Sequence, residues 1–575
     1  MILVQAPTRV ADCDWISKAY PCNCAVSFMT AARSSSCIAL VAALVGFLFS
    51  AARAAEEVEA DPPEVAIGER LFLEARFSQF FHERAKGYVN AVMAAGDPVL
   101  ARTLPFDGEL AGSFAAGGMN CRACHLVDEH KETHGNRSYA DFARRSPVSE
   151  RGDGRKFAPR NSPPLVNALY RHEQNRFLHA DGEFFTARSL VIGTMTGRNF
   201  GWLPQEEKVA REHIVKVVRE DDGNGALAKE FGGAYRVVLK GTDPAIPEEF
   251  RLPKKFRIDV EKASADEVRE AIAALVEAYM ESLAFALDEN GEFNGSPYDV
   301  FLKKNRLPRK PKSREGALEY GRRLRGLLAK LERPKFVSEA DGKFATHKQE
   351  FSFGEEELRG LQTFLSEPGA TTSKAGVGNC IACHAPPLFT DFNFHNTGAA
   401  QEEYDALHGE GAFAALDIPD LEGRGGNVEK HLPPTAAHPN ALGTFLSVPS
   451  REHPGQVDLG LWNVFANDDF ANPQKALNEL LSRGSKVTKA SELLPRTIAL
   501  FKTPSLRDPG HSAPYLHTGQ KDTLEDVVDF YRSSSQLMRE GKLRNGAREL
   551  EGMSLTPEAE ADLTAFLRAL NEDYE

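Results

Sequence analysis

Two copies of a Cys-x-x-Cys-His pentapeptide, at residues 121–125 and 380–384, constrain this chain more than any other feature. In each copy the thiols stand three positions apart, on one face of a helical turn, where each can add to a vinyl group of haem. The histidine that follows then meets the iron as the proximal ligand. The alternatives are a zinc half-site and a thioredoxin-like redox pair. The haem interpretation predicts two covalently bound c-type haems, held by Cys121, Cys124, His125, Cys380, Cys383 and His384.

The first 54 residues have the pattern of an export signal. From Met29 the chain has a positive charge at Arg33, an apolar run over 38–49 and a small-x-small cleavage site at 52–54. The run is short for a membrane span, so we predict a signal segment at 1–54, a periplasmic protein and no membrane span after cleavage. An uncleaved anchor and a true start at Met29 are alternatives. Cleavage removes every cysteine outside the two motifs, namely Cys13, Cys22, Cys24 and Cys37.

The order of elements around each motif predicts one unit used twice. A short amphipathic segment precedes each motif, at 67–73 and 358–365. A segment with apolar residues at 3–4 spacing closes each half, at 268–283 and 559–570. We therefore predict a mostly α-helical fold with two cytochrome c-like haem domains related by internal duplication.

Length and charge bound the domain organisation and the partners. About 520 residues follow the leader, which suggests two or more domains. We predict an N-terminal c-type haem domain over 55–300 and a C-terminal one over 301–575, divided near the basic, proline-containing stretch 303–312. Segments 77–118 and 399–499 have no counterpart in the other half and are expected to be loop-rich insertions. The formal net charge of −13 argues against nucleic acid as a partner.

Further segments around the second motif match a known family. They are residues 387–391, 394–398, 501–507 and 513–517. With them the chain resembles the bacterial di-haem cytochrome c peroxidase and MauG superfamily, from about residue 67 to the C-terminus. The resemblance implies an oxidoreductase of the peroxidase type. One haem would transfer electrons and be six-coordinate, and the other would react with H2O2 and keep an accessible face.

The resemblance also implies a distal ligand for the second haem. In this family the ligand lies fourteen residues after the histidine of a His-x-Gly turn, so His517 points to Tyr531. Conventional peroxidases place methionine there, whereas MauG-like members place tyrosine. A phenolate stabilises ferric and higher states, so the resemblance implies oxidising equivalents shared with a His/Tyr-ligated C-terminal haem, a high-valent chemistry like that of MauG. The alternative is a core tyrosine, with Met538 or Met553 as the true ligand.

In the first half the corresponding turn begins at Ala180, and counting fourteen residues from it ends on Thr194. Neutral threonine is a poor iron ligand, so the haem on His125 is expected to be five-coordinate or water-bound and to react with H2O2. Met195 would become the ligand if the register were shifted by one residue.

Peroxide cleavage also needs a group that moves a proton and polar groups that stabilise the departing charge. The family's glutamate position falls on Phe200, so Glu206 is the candidate catalytic acid and Arg198 the candidate polar partner. A solvent-facing glutamate at a helix start is the alternative for Glu206. The family's inter-haem tryptophan position falls on Ala180. Trp202 is the candidate electron relay, or else an ordinary packed indole.

Family members also bind Ca²⁺ through an asparagine side chain and two backbone carbonyls. The matching positions are Asn167, Ser512 and Pro514. Oxygen donors completed by water suit Ca²⁺. The alternative is an asparagine that caps a turn.

The sequence thus predicts a di-haem c-type peroxidase that reduces H2O2 at the N-terminal haem. Its reductant, an electron-donor protein or a small molecule, is not identified. The alternatives are a conventional cytochrome c peroxidase served by a small c-type cytochrome, and a non-catalytic di-haem electron carrier. A protein-modifying oxidase is supported by analogy alone.

Overall fold

Helices make up most of the regular structure of this protein. The structure, a computed structural model, describes residues 61–91, 120–125, 145–148, 151–155, 157–170, 177–369 and 376–573. These residues belong to one unit that begins at Asp61. The predicted signal segment 1–54 and most of the first predicted insertion lie outside the described residues. No helix in the described part has the length and apolar character that a membrane crossing requires.

The described residues confirm the mostly α-helical fold, whereas the internal duplication stays a prediction. Within the described residues there are three short antiparallel strand pairs: Arg145–Pro147 (β1) with Phe157–Asn161 (β2), Gly376–Val377 (β3) with Ser554–Leu555 (β6), and Phe394–His395 (β4) with Phe501–Lys502 (β5). The last two pairs join segments that are far apart in the sequence. The helices are α1 Pro63–Phe72, α2 Gln79–Ala85, α3 Ala187–Thr196, α4 Glu207–Glu220, α5 Ala226–Glu230, α6 Tyr235–Val238, α7 Ala265–Ser282, α8 Pro297–Lys304, α9 Ala317–Leu328, α10 Glu355–Phe364, α11 Ala399–His408, α12 Leu421–Gly426, α13 Val428–His431, α14 Gln474–Ser482, α15 Ala490–Leu493, α16 Leu524–Arg539 and α17 Pro557–Arg568.

The first core forms where α1 packs on α7. Proline occupies the first turn of α1, where its missing N–H costs no hydrogen bond. Ser264 and Glu267 begin α7 with a capping box. The two helices approach closely at Gly68, where a side-chain Cβ would lie 2.9 Å from the Cβ of Tyr279. Ile67 and Phe72 of α1 are buried in this contact.

The second core repeats this arrangement with α10 and α17. Gly360 of α10 faces α17, and a Cβ on it would lie 2.7 Å from the Cβ of Phe566 and overlap the Asp562 carbonyl. Leu361 and Phe364 are buried beside it. In both halves, the helix before the motif therefore packs through a glycine onto the helix that closes the half.

Segment 399–499 supplies most of a third core, which also contains Phe177 and Phe394. Trp462 is completely buried at its centre, and the Arg424 guanidinium donates to the Trp462 carbonyl at 2.6 Å. The Arg424 guanidinium carbon lies 4.9 Å from the centre of the Trp462 ring, a cation–π distance. The segment contains the long loops that its Gly and Pro content indicates, and it adds the five short helices α11 to α15.

The basic stretch 303–312, which the sequence predicts as the domain boundary, is folded at both ends. It begins inside α8, whose Phe301 and Leu302 belong to the second core. Near its other end Arg309 is buried and pairs with Asp288 and Glu292. The division of the chain at 300/301 stays a prediction.

Replacing Gly360 with alanine tests the close helix contact. The added methyl overlaps backbone atoms of α17, so we expect Gly360→Ala to destabilise the protein by about 1–3 kcal/mol. The matched control is Gly326→Ala in α9, where nothing lies within 4 Å of the new Cβ and alanine should stabilise by about 0.5–1 kcal/mol. Thermal unfolding followed by circular dichroism measures both changes. Equal shifts of the unfolding temperature in the two variants would contradict the close packing of α10 on α17 at Gly360.

Candidate functional site

Both Cys-x-x-Cys-His motifs open into one cavity of about 1240 Å³. A pocket for one drug-sized ligand is usually about 300–1,000 Å³, so the cavity suits more than one small ligand. Its wall includes residues from the first half, the second half and segment 399–499. All six predicted attachment residues line it, namely Cys121, Cys124, His125, Cys380, Cys383 and His384.

The two motif histidines are held in the same way. The ring Nδ1 lies 2.9 Å from the Pro163 carbonyl oxygen in His125 and 2.9 Å from the Phe389 carbonyl oxygen in His384. A carbonyl only accepts, so each Nδ1 carries the proton and each Nε2 keeps its lone pair. Burial lowers the pKa of His125 to about 4 and also lowers that of His384. A neutral imidazole with a free Nε2 and an anchored Nδ1 is the state that a metal-binding histidine adopts.

The thiols fit haem attachment better than the two alternatives. Burial raises the pKa of Cys121 and of Cys380 to about 12, whereas a thioredoxin-like pair needs a lowered thiol pKa. Within the described residues, two clusters of His, Cys, Asp or Glu have donor atoms close enough to share a metal ion, and neither includes a motif residue. Two motifs that share a large cavity therefore suit two haems.

The two halves of the cavity differ at the predicted distal positions. Tyr531 lines the cavity from α16, and Thr194 lines it from α3. Met195 is instead buried in the first core, with 2% of its surface exposed, and does not line the cavity. Of the two methionine alternatives in the second half, Met553 lines the cavity and Met538 does not.

The Tyr531 phenol lies beside the second motif. Burial raises its pKa, and the neighbouring Cys383 and Cys380 thiols add to this shift. α16 presents the ring, and it begins at a capping box in which Thr523 and Asp526 bond each other's backbone. A phenol of raised pKa loses its proton only when a strong positive centre, such as a ferric ion, lies next to it.

A polar wall lies on the first half of the cavity. The Arg198 guanidinium donates to the Asp153 carboxylate at 2.7 and 2.9 Å. Asp153 also accepts from the backbone N–H of Arg155, and all three residues line the cavity. Sequence reasoning found Arg198 but missed Asp153 and Arg155, because no motif surrounds them.

The Glu206 side chain forms an ion pair and a backbone hydrogen bond at the start of α4. One carboxylate oxygen pairs with Arg151 at 2.7 Å, and the other accepts from the backbone N–H of Leu203 at 2.8 Å. Glu206 does not line the cavity, whereas its neighbour Glu207 does. These contacts describe a helix-start residue, so its catalytic role stays a prediction.

Trp202 lines the cavity from within the first core. It is 1% exposed, and its indole N–H donates to the Phe77 carbonyl at 3.1 Å. Its ring centre lies 5.4 Å from that of His82 and 5.9 Å from that of His213. These partners all belong to the first half, so they do not place the indole between the two motifs.

Strand β5 from the second half reaches the position of Ala180. The Lys502 backbone N–H donates to the Ala180 carbonyl at 2.8 Å, and the Lys502 ammonium donates to the Phe177 carbonyl at 2.5 Å. Burial lowers the pKa of Lys502 to about 8. The neighbouring Phe501 stacks on His517 with ring centres 3.5 Å apart. Sequence reasoning missed this group, because no pattern marked Lys502 as buried.

Arg160 joins the first half to segment 399–499. It pairs with Asp181 at 2.6 Å and with Asp458 at 2.6 Å, and all three side chains are buried or nearly so. Arg160 and Asp181 also line the cavity. One guanidinium therefore pairs with two carboxylates from distant parts of the chain.

The three predicted calcium positions line the same cavity. The Asn167 side-chain oxygen is buried and accepts no hydrogen bond among the described residues. The Pro514 carbonyl accepts from the Asn161 side chain at 2.7 Å. A buried amide oxygen without a donor is costly, and a cation would satisfy it.

Removing Arg160 tests how much its two ion pairs, with Asp181 and Asp458, contribute to stability. Arg160→Met leaves two carboxylates buried without a cation, so we expect a loss of about 3–5 kcal/mol. The control is Arg188→Met, which breaks a pair with Glu277 in which the arginine side chain is 50% exposed and should cost less than about 1 kcal/mol. Unfolding midpoints in urea measure both variants. Similar losses of unfolding free energy in the two variants would show that the Arg160 ion pairs contribute no more than an exposed pair.

Known proteins that resemble the chain include di-haem enzymes. No family model matches the chain. Cytochrome-c peroxidase IdrP2 of Denitromonas iodatirespirans is 26% identical over 196 residues, which are 34% of this chain and 37% of that protein. Methylamine utilization protein MauG of Methylophilus methylotrophus is 34% identical over 110 residues, which are 19% of this chain and 29% of that protein. The chain thus spans less than two fifths of either relative.

Two solved structures resemble the fold at low sequence identity. The diheme peroxidase BthA from Burkholderia thailandensis E264 has a TM-score of 0.40 and 17% identity, covering 89% of this chain and 86% of that chain. A MauG-like protein associated with microbial copper homeostasis has a TM-score of 0.40 and 17% identity, covering 89% of this chain and 91% of that chain.

Proposed function

We propose that the chain is a member of the superfamily of di-haem cytochrome c peroxidases and MauG, as its relatives support, and that it is a di-haem oxidoreductase that reduces H2O2. The reaction site is the half of the cavity served by His125. The oxidising equivalents are shared with the half served by His384 and Tyr531, as in a MauG-like enzyme.

One observation carries this proposal. Two motifs with identically anchored histidines share a cavity, yet the cavity offers a phenol on one side and a threonine on the other. An electron carrier needs two closed irons, whereas a peroxidase needs one open iron. Tyr531 can close the second iron, and Thr194 leaves the first one open.

Each group in the cavity then has a defined role. The two motifs would hold covalently attached haems, which would supply the redox chemistry. His125 and His384 offer Nε2 to the iron and keep Nδ1 on a backbone carbonyl. Arg198 and Arg155, beside Asp153, provide positive charge on the first half of the cavity, where negative charge develops as the O–O bond breaks.

The remaining parts of the proposal concern calcium, location and reductant. The unsatisfied Asn167 oxygen supports one Ca²⁺ held with the Ser512 and Pro514 carbonyls. The leader pattern at 1–54 supports export to the periplasm, where haem attachment takes place. The reductant is an electron-donor protein or a small molecule.

A second candidate function rests on Met553. This residue lines the second half of the cavity together with Tyr531. A thioether ligand raises the potential of the iron, so Met553 ligation would indicate a conventional peroxidase that takes electrons from a small c-type cytochrome.

Two variants separate these ligands. If Tyr531 binds the iron, Tyr531→Phe should replace the low-spin signal of the second haem with a high-spin signal in the EPR spectrum. Met553→Leu should then leave that signal in place. Tyr515→Phe is the control, because Tyr515 also lines the cavity but donates to the Pro509 carbonyl at 3.0 Å. The opposite pattern, in which only Met553→Leu changes the spectrum, would identify the conventional peroxidase.

Closing the first iron tests the site of the reaction. We expect the ferric protein to show one high-spin haem and to react with one equivalent of H2O2. Thr194→His places an imidazole at the open position, so the high-spin signal should disappear. The rate should then fall about tenfold for each ~1.4 kcal/mol by which the bound imidazole is favoured. Stopped-flow absorbance measures the rate.

Thr196→Val is the control for that variant. Thr196 also lines the cavity, but its hydroxyl donates to the Ile192 carbonyl at 2.8 Å, so the spectrum and the rate should stay close to those of the parent protein. A parent protein without any high-spin haem and without reaction would instead be an electron carrier.

A further inference from the structure

Three separate segments meet near the end of the described chain, beside the wall of the cavity. They are the loop at 345–349, the turn at 508–512 and the C-terminal stretch 568–573. The Thr346 backbone N–H donates to Asp573 at 3.0 Å, and the Gly510 backbone N–H donates to the Asn571 side chain at 2.8 Å. Asn571 in turn donates to Gln349 at 3.0 Å. The segments are therefore held together by hydrogen bonds before any ion is considered.

A cluster of metal-binding side chains lies where these segments meet. The His347 Nε2 is 2.8 Å from one Asp508 carboxylate oxygen, and the His511 Nδ1 is 2.9 Å from the other. The two imidazole rings stack with centres 3.8 Å apart. The side chains are 6%, 0% and 8% exposed for His347, Asp508 and His511. One donor atom from each of the three lies within 4.8 Å of the others.

Either a metal cation or one protonated imidazole would balance the charge of Asp508. Asp299, Asp508 and Glu572 are buried carboxylates in adjoining positions, and Arg507 donates hydrogen bonds to Asp299 and Glu572. Asp508 faces the two histidines instead. A buried carboxylate is stable only when paired with positive charge. Two protonated imidazoles stacked at this distance would repel each other, so at most one proton can serve that purpose.

We propose that His347, Asp508 and His511 bind one late first-row divalent metal ion, for which Zn²⁺ is the probe. Two imidazole nitrogens and one carboxylate oxygen form a donor set that suits Zn²⁺ and its neighbours, whereas Ca²⁺ and Mg²⁺ prefer oxygen donors alone. Ligands of a tetrahedral Zn²⁺ lie about 2.0–2.2 Å from the ion and about 3.3 Å from one another. The 2.8 and 2.9 Å separations must therefore open by about half an ångström.

The ion would brace the second half of the cavity. Asp508 directly follows Leu506 and Arg507, which line the cavity, and the ion would tie this segment to the 345–349 loop. The proposal does not depend on peroxide chemistry, because its donors lie outside the cavity wall. Its role is structural, and its loss should be seen in stability rather than in the haem spectrum.

Zinc titration of the haem-loaded protein tests the proposal. The protein is treated with EDTA and dialysed into buffer with Ca²⁺, and Zn²⁺ is titrated against a chromogenic chelator. We expect one Zn²⁺ per chain and a raised unfolding temperature. His347→Gln and His511→Gln should each lose this binding. The matched control is His438→Gln, because His438 forms an exposed pair with Glu429 at 3.2 Å and should not contribute.

Folding of each variant is checked by its haem absorption and its circular dichroism. If His511→Gln does not fold, His347→Gln decides the question. X-ray absorption at the zinc edge should show two imidazole nitrogens and an oxygen at about 2.0–2.2 Å. No stoichiometric binding by the parent protein, or equal binding by both variants, overturns the proposal and leaves a proton between Asp508 and the two rings.

Discussion

Each motif histidine donates a hydrogen bond from its Nδ1–H to a backbone carbonyl, and the chemistry of the cavity depends on these two hydrogen bonds. The bonds select the tautomer with a free Nε2 and prevent the rings from rotating. The Pro163 carbonyl follows strand β2, and the Phe389 carbonyl lies in the loop after the second motif. The two carbonyls come from different local structures, yet both reach Nδ1 at 2.9 Å. The same hydrogen bond is thus built twice from unlike segments.

The two halves of the cavity share these hydrogen bonds and differ in the side chains at the predicted distal positions. α3 turns Thr194 toward the cavity and buries Met195 in the first core, so the helix presents a hydroxyl rather than a thioether to the cavity. α16 presents Tyr531, whose phenol is kept protonated by burial until a cation lies beside it. Two anchored imidazoles alone would describe a symmetrical electron carrier. The side chains opposite them make the cavity asymmetrical, and asymmetry is what a peroxidase requires.

The sequence predicts local features well and long-range pairs poorly. The apolar spacing at 67–73 and 559–570 located α1 and α17 to within a few residues, because helix periodicity is a local property. The count from His517 put Tyr531 on the cavity wall. No local pattern could join Arg160 to Asp458 across most of the chain. The catalytic role of Glu206 rests on nearness in sequence and stays a prediction; its two carboxylate oxygens contact Arg151 and the backbone N–H of Leu203.

The position of Ala180 shows how the two halves meet without the tryptophan that the family places there. Strand β5 lies against this position, because the Lys502 backbone N–H donates to the Ala180 carbonyl and its ammonium donates to the Phe177 carbonyl. The neighbouring Phe501 stacks on His517, and the Arg160 guanidinium carbon lies 5.9 Å from the centre of the Phe501 ring. A backbone contact and a packed ring pair thus lie beside the position where the resemblance expects an indole. Neither phenylalanine nor histidine is as readily oxidised as tryptophan, so these two side chains are poor substitutes for the relay that the resemblance assigns to this position.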